Sequence, residues 1–263
     1  MTDVKKTEIA VAGCTVPVMR KGKGAPLLIL HGAGGAGVWM PYMDKLAGAF
    51  DVIVPEHPGF GGSDMPDWMD NIHDLAYFYL DFLEALDLEG VHLVGLSLGG
   101  WLAAELAVRN TSRLASLTLV GAAGIYVKGV KQIDAFLKSD EQKIRDFFYD
   151  PKIAEQVIAR TLTPALEDIN LKNRLATAKL VWQPRGYDPH LHKWLHRIDV
   201  PTLLLWGDTD RLYPKEYAEA FKKLIPDSRV VVFAECGHIP NVEKADDFVA
   251  EVVRFAKEAR AAA

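Results

Sequence analysis

Only two cysteines, Cys14 and Cys236, occur in this chain of 263 residues. So small a number excludes a disulfide framework and suits a reducing compartment, so a cytoplasmic location is expected. A long apolar run is missing as well. The most hydrophobic window, residues 91–108, is interrupted by His92, Ser97, Glu105 and several glycines, which fits a buried strand, turn and helix better than a membrane span. The opening MTDVKKTEIAVAG has none of the apolar character of a secretory signal. Positive charge is in deficit, with 30 Lys and Arg against 35 Asp and Glu and a net charge of −5. A nucleic-acid binder needs clustered cations against phosphate, and the short clusters Lys5-Lys6 and Arg20 to Lys23 read instead as solvated surface. The expected partner is therefore a small molecule, with neither nucleic acid nor membrane. Internal repeats and linkers rich in Pro, Gly and Ser are also lacking, so one folded body is expected.

Short apolar runs fill that body. After two N-terminal candidates at about 7–12 and 15–20, they fall at 26–30, 51–54, 91–94, 114–120, 202–206 and 229–233, the pattern of strands covered on both faces. Helical patterns separate most of them, at 71–86, 98–109, 215–224 and 242–262, the last ending in a fraying ARAAA. Strand alternating with helix predicts a parallel α/β sheet. Between 124 and 187 the alternation stops, and charged helical stretches such as 140–148 and 166–181 follow one another. That segment reads as a helical insertion after the sixth strand, packed on a core made of 1–123 and 188–263.

The chain holds six serines, and one of them sits in Gly95-Leu96-Ser97-Leu98-Gly99, a G-x-S-x-G pattern between a predicted strand and a predicted helix. A nucleophilic serine needs a tight, strained turn that lifts its hydroxyl above the sheet, and glycines two residues away on either side remove the side chains that would collide. The helix N-terminus beyond it supplies unpaired N–H groups where an oxyanion can form. Such a hydroxyl needs a base and an acid. Trp206-Gly207-Asp208-Thr209-Asp210 follows the seventh strand candidate, and Glu235-Cys236-Gly237-His238-Ile239-Pro240 follows the eighth. Groups just past the carboxyl ends of parallel strands converge on one edge, so Ser97, Asp210 and His238 can meet. Asp210 is preferred to Asp208 as the acid because it lies farther from its strand, where the loop can turn toward His238, while Asp208 fixes the turn.

These residues resemble the α/β-hydrolase superfamily over nearly the whole chain: His31-Gly32-Ala33-Gly34-Gly35, Pro58-Gly59-Phe60-Gly61-Gly62-Ser63, the serine turn, WGDTD and GHIP all occur in register. The resemblance implies an α/β fold with an eight-stranded, mostly parallel sheet and flanking helices, a helical cap at 124–187, and a Ser-acid-His triad. It also implies an oxyanion hole from the backbone amides of Leu98 and Ala33, with Gly34 as the neighbouring alternative. No cofactor or metal is expected. Haloalkane dehalogenases and epoxide hydrolases of this fold carry Asp at the turn, so Ser97 argues against both. Trp182-Gln183-Pro184-Arg185 resembles the Asn-Pro-Arg stretch of meta-cleavage product hydrolases, although Gln replaces Asn and Ile239 stands where those enzymes carry Trp after the histidine. The expected activity is a serine carboxylesterase for small to medium acyl esters. Carbon–carbon bond hydrolysis is the alternative, and a non-catalytic ligand receptor on the same fold is the rival from another class.

Arg185, Trp101 and Trp39 are the candidate substrate contacts; Trp39, Met40, Met43, Trp101 and Trp182 together suit the lining of an acyl pocket, although aromatic and Met residues at such spacings more often belong to the core. His190, His192 and His196 mimic a metal-binding spacing on one helix, but Lys193 and Arg197 beside them oppose a cation, and a solvated helix face is expected. Cys236 reads as buried packing.

Overall fold

The computed structural model describes residues 3–262. Its strands are β1 (Lys5–Val11), β2 (Cys14–Gly22), β3 (Pro26–Leu30), β4 (Asp51–Pro55), β5 (Val91–Leu96), β6 (Leu114–Val120), β7 (Thr202–Gly207) and β8 (Ser228–Phe233). The apolar runs of β3, β4, β5, β6 and β7 are buried almost throughout, as the sequence predicts, and lie inside one eight-stranded sheet, whereas β8, read in the same way, is an edge strand whose residues are mostly only partly covered, with Val232 exposed. The order is β1-β2-β4-β3-β5-β6-β7-β8. From β4 to β8 the strands are parallel, while β2 pairs antiparallel with both β4 and β1. Edge strand β1 alternates exposed and covered residues, as one-sided cover requires.

Helices α1 (Pro41–Leu46), α2 (Ile72–Ala85), α3 (Leu98–Arg109), α4 (Asp140–Phe147), α5 (Pro151–Thr161), α6 (Glu167–Val181), α7 (Glu216–Leu224), α8 (Pro240–Glu243) and α9 (Ala245–Ala262) complete the chain. Apolar residues of α2, α3 and α7 join one buried cluster, and those of α1 and α9 join another. The sheet is thus covered on both faces. The structure also departs from the sequence expectation in two helical stretches. The helix expected at 242–262 is broken at Lys244, whose φ of −125° and ψ of 45° separate α8 from α9. His190, His192 and His196 do not share an α-helical face, because two short 3₁₀ turns, Leu191–Lys193 and Leu195–Arg197, carry this stretch.

The segment after β6 contains α4, α5 and α6, and its two ends are stitched together. Gly124 and Tyr187 form an isolated parallel bridge, Gly124 N donates to Gly186 O at 3.3 Å, and Asp188 N donates to Gly124 O at 2.9 Å. Strand order reverses between β3 and β5, so the loops that leave their carboxyl ends part to opposite sides and open a crevice there.

Candidate active site

Ser97 is the residue between β5 and α3, with φ 54° and ψ −111°, a left-handed backbone that a side chain rarely adopts. The glycines around it are required by close packing. A methyl group on Gly95 would stand 2.3 Å from Gly99 O, and one on Gly99 would stand 2.1 Å from Leu30 O. Serine at a helix N-cap ordinarily turns its hydroxyl back onto the first turn. Ser97 makes no such bond, and its Oγ lies 2.8 Å from His238 Nε2.

His238 Nδ1 lies 2.8 Å from Asp210 Oδ2. A carboxylate only accepts, so the proton sits on Nδ1, and the lone pair of Nε2 faces the serine hydroxyl. Asp210 is buried, and its other oxygen accepts from the amides of Leu212 and Tyr213, both at 2.9 Å. Asp208 faces elsewhere: its Oδ1 accepts from Cys236 N at 3.2 Å, which ties the loop after β7 to the loop after β8. Rings of Phe147 and Tyr213 flank the imidazole at centroid distances of 5.2 and 5.8 Å. Burial pushes the Cys236 thiol well up, and the residue is packing.

The loop after β3 stands beside Ser97, since a Cβ on Gly32 would be 3.4 Å from Ser97 Cβ. Ala33 and Gly34 on this loop are exposed, and Ser97 is half-buried, so the site opens to solvent there. Beneath the loop His31 and His57 stack at 3.6 Å, and the backbone N–H that donates to His31 Nε2 fixes that ring as neutral. His31 Nε2 accepts from His57 N, and its Nδ1 donates to Gly32 O; His57 Nε2 donates to His31 O, and its Nδ1 accepts from Tyr79. Burial holds both imidazoles below the ordinary histidine value, His57 far below it.

Sequence reasoning missed the side chains that hold these loops. Glu243, in α8, accepts from Gly237 N at 2.6 Å, Tyr149 N at 2.7 Å and Asp150 N at 3.0 Å, while His238 N donates to Phe147 O at 2.6 Å. The end of α4 and the start of α5 are thereby fastened to the histidine loop. Pro240, two positions after His238, marks a helix start there but not which distant amides Glu243 would reach.

The proposed substrate contacts fare differently. Trp101 is 2% exposed, and its indole N–H donates to Glu105 Oε1 at 2.9 Å, so it sits in the core as a residue of α3. Trp39 is drawn away by Asp44, whose Oδ1 accepts from its Nε1 at 2.8 Å, and it packs beside α1. Arg185 pairs with Asp134 and lies over Trp182 at 4.3 Å and Phe136 at 5.6 Å. One group of metal-ligand type is drawn together among the described residues, His73, Glu105 and Asp188, with ligand atoms within 4.8 Å of one another. Arg109 donates to Glu105 at 2.6 Å and stands 2.8 Å from His73 Nδ1, so a guanidinium already fills the place a cation would take.

Residues 27–252 match the model of the alpha/beta hydrolase family. A 2-hydroxy-6-oxo-6-(2'-aminophenyl)hexa-2,4-dienoic acid hydrolase from Metapseudomonas resinovorans is 29% identical, with 94% of this chain and 89% of that protein covered. Lipase 3 of a Moraxella species is 30% identical over 85% of this chain and 75% of its own length. Among solved structures, a bacterial membrane phospholipase A superposes with a TM-score of 0.81 at 25% identity, covering 98% of this chain and 87% of that one.

Proposed function

Because this chain belongs to the alpha/beta hydrolase family, hydrolysis frames its chemistry, and we propose that it is a serine carboxylesterase acting on small to medium, uncharged acyl esters. The observation that carries this reading is the unbroken relay from Ser97 Oγ through His238 to the buried Asp210. In the proposed reaction Nε2 of His238 takes the hydroxyl proton as the Ser97 oxygen attacks the ester carbonyl. Asp210 holds the ring and stabilises its cationic form. The developing oxyanion accepts from the amides of Leu98 and Ala33, with Gly34 as the adjacent alternative, donors worth about 3 kcal/mol each when already aimed. The histidine then gives its proton to the leaving alcohol. Water, deprotonated by the same ring, releases the acid from the acyl-enzyme and restores Ser97. Residues 124–187 act as the cap that roofs this site.

Two relatives' names favour different bonds, and Arg185 is the residue on which they diverge. A substrate bearing a carboxylate gains from a free, bidentate guanidinium. Arg185 is already engaged by Asp134 and by the faces of Trp182 and Phe136, which supports the ester over the carbon–carbon bond. The second reading, a carbon–carbon hydrolase, draws its support from the Metapseudomonas relative. Four rates separate them: a short nitrophenyl ester and a vinylogous diketone acid, each with the parent and with Arg185→Ala. An esterase should lose less than about tenfold on the neutral ester, or about 1.4 kcal/mol. A parent that prefers the diketone acid, with the preference abolished in Arg185→Ala, overturns the esterase assignment.

A further inference from the structure

Asn173 stands midway along α6 and is 4% exposed, on the face that also buries Ala176 and Leu180. A carboxamide so buried has to be satisfied at both ends. Its Nδ2 donates to Gly34 O at 2.8 Å and its Oδ1 accepts from Gly61 N at 2.8 Å, so one side chain joins the loop after β3 to the loop after β4. The backbone is shaped to receive it. Gly35 has φ 85°, and a methyl group there would lie 2.7 Å from Asn173 Nδ2.

Core groups restrain the rest of the loop after β3, where His31 Nδ1 donates to Gly32 O at 2.7 Å. Gly35 N donates to Gly32 O at 3.2 Å across the turn, and Ala36 N donates to Glu56 Oε1 at 2.8 Å. These restraints all belong to the core. The restraint on the Gly34 carbonyl comes instead from the inserted segment. Gly34 carries no side chain to hinder rotation of its peptide plane, so a hydrogen bond has to hold it.

We propose that Asn173 is a positioning residue for the oxyanion hole: docking of α6 fixes the Gly34 carbonyl and, through the same turn, the direction of the Ala33 amide. The inference rests on the serine-hydrolase reading above. Oxyanion donors act because they are aimed before the charge develops, and a misplacement of about 1 Å can cost about a hundredfold in rate.

Asn173→Asp is the decisive variant, because it keeps the acceptor for Gly61 N and turns the donor to Gly34 O into a second acceptor. Asn173→Ala, which removes both bonds, is its companion. With a short nitrophenyl ester, kcat should fall about tenfold to a hundredfold while KM stays within about threefold. The Kd of an alkyl trifluoromethyl ketone, which adds to the serine oxygen and places its own oxyanion in the hole, should weaken by the factor lost from kcat. The kcat of Asn173→Asp relative to the parent should recover as pH falls from 8 to 5, when protonation restores a donor, and Asn173→Ala should show no such recovery. A residue that only supports the fold would lower Tm without linking kcat to ketone affinity. Parental kcat in Asn173→Ala, or a loss of kcat with ketone affinity unchanged, overturns the inference. If the parent itself binds no ketone and takes no fluorophosphonate at Ser97, the serine-hydrolase reading fails instead, and that result appears before any variant is made.

Discussion

Ser97 occupies a helix N-cap yet caps nothing, because its hydroxyl is committed to His238. Removing that hydroxyl therefore takes away chemistry without leaving a helix end unsatisfied. Ser97→Ala should lose nearly all ester turnover, by about 10⁴-fold or more, and melt within about 2 °C of the parent. A variant that still turns over substrate at the parental rate would overturn the mechanism. The two aspartates of the loop after β7 are expected to diverge. Asp210→Asn should cost about 10⁴-fold in kcat, because an amide lets the imidazole adopt the wrong tautomer. In Asp208→Asn an oxygen can still accept from Cys236 N, so kcat should stay within about tenfold. The reverse ranking in folded protein would reassign the acid. Glu243→Ala leaves three backbone amides without their carboxylate, for a loss of about 2 kcal/mol and a lower kcat from a looser histidine loop. Calorimetry and steady-state kinetics on the same sample check both halves of that expectation. Ser97, Asp210 and His238, the residues of the proposed relay, were readable in the sequence because each sits at a strand end inside a short local pattern. Asn173 and Glu243 were not, since a polar residue within a helix gives no sign of which distant amide it will reach. The pairing of Arg185 with Asp134 was hidden for a related reason, since the two lie 51 residues apart.

At the scale of elements, the contact between α3 and the sheet is set by two glycines. Gly99 allows the helix to rest on the carbonyl of Leu30, and Gly95 allows the strand to rest on the helix. Gly99→Ala meets backbone, which cannot rotate away, so α3 must retreat. The expected cost is about 3 kcal/mol, or about 6–12 °C in Tm, with activity lost alongside as Ser97 moves. Unchanged melting would show that the helix has room the geometry denies. Most strands and long helices could be read beforehand, because apolar runs and helical periodicity are local signals. Helix α3, at 98–109, matches the sequence reading at both ends. Helix α1 was missed because six residues hold too little periodicity, and the break at Lys244 was missed because nothing in the pattern marks a single non-helical backbone pair.

For the molecule as a whole, acid is the expected weakness. His31 and His57 stay neutral under burial, while their counterparts in the unfolded chain take up protons below about pH 6.5. The unfolded state then binds more protons, so stability should fall as pH drops from about 6.5 toward 5. His73 acts in the opposite sense. Its bond to Glu105 raises it, so its contribution is present below about 6.5 and fades as pH rises through its elevated folded value. It is partly exposed, and the two buried rings outweigh it. Melting curves at pH 7, 6 and 5 should descend in that order, and a rise on acidification would contradict the assignment of two buried neutral rings. The bridge between Gly124 and Tyr187 bears on a different matter, that of inheritance. Everything between those two residues departs from the sheet and returns at a single point, so the strands on either side keep their spacing whatever lies between. A lineage can lengthen, shorten or exchange that stretch as a cassette, and a chimera that receives a relative's cassette should keep its sheet and its Ser97–His238–Asp210 relay. Substrate preference can then change in one recombination event, provided the incoming cassette brings its own counterparts of Asn173 and the Phe147 carbonyl to brace the loops beneath.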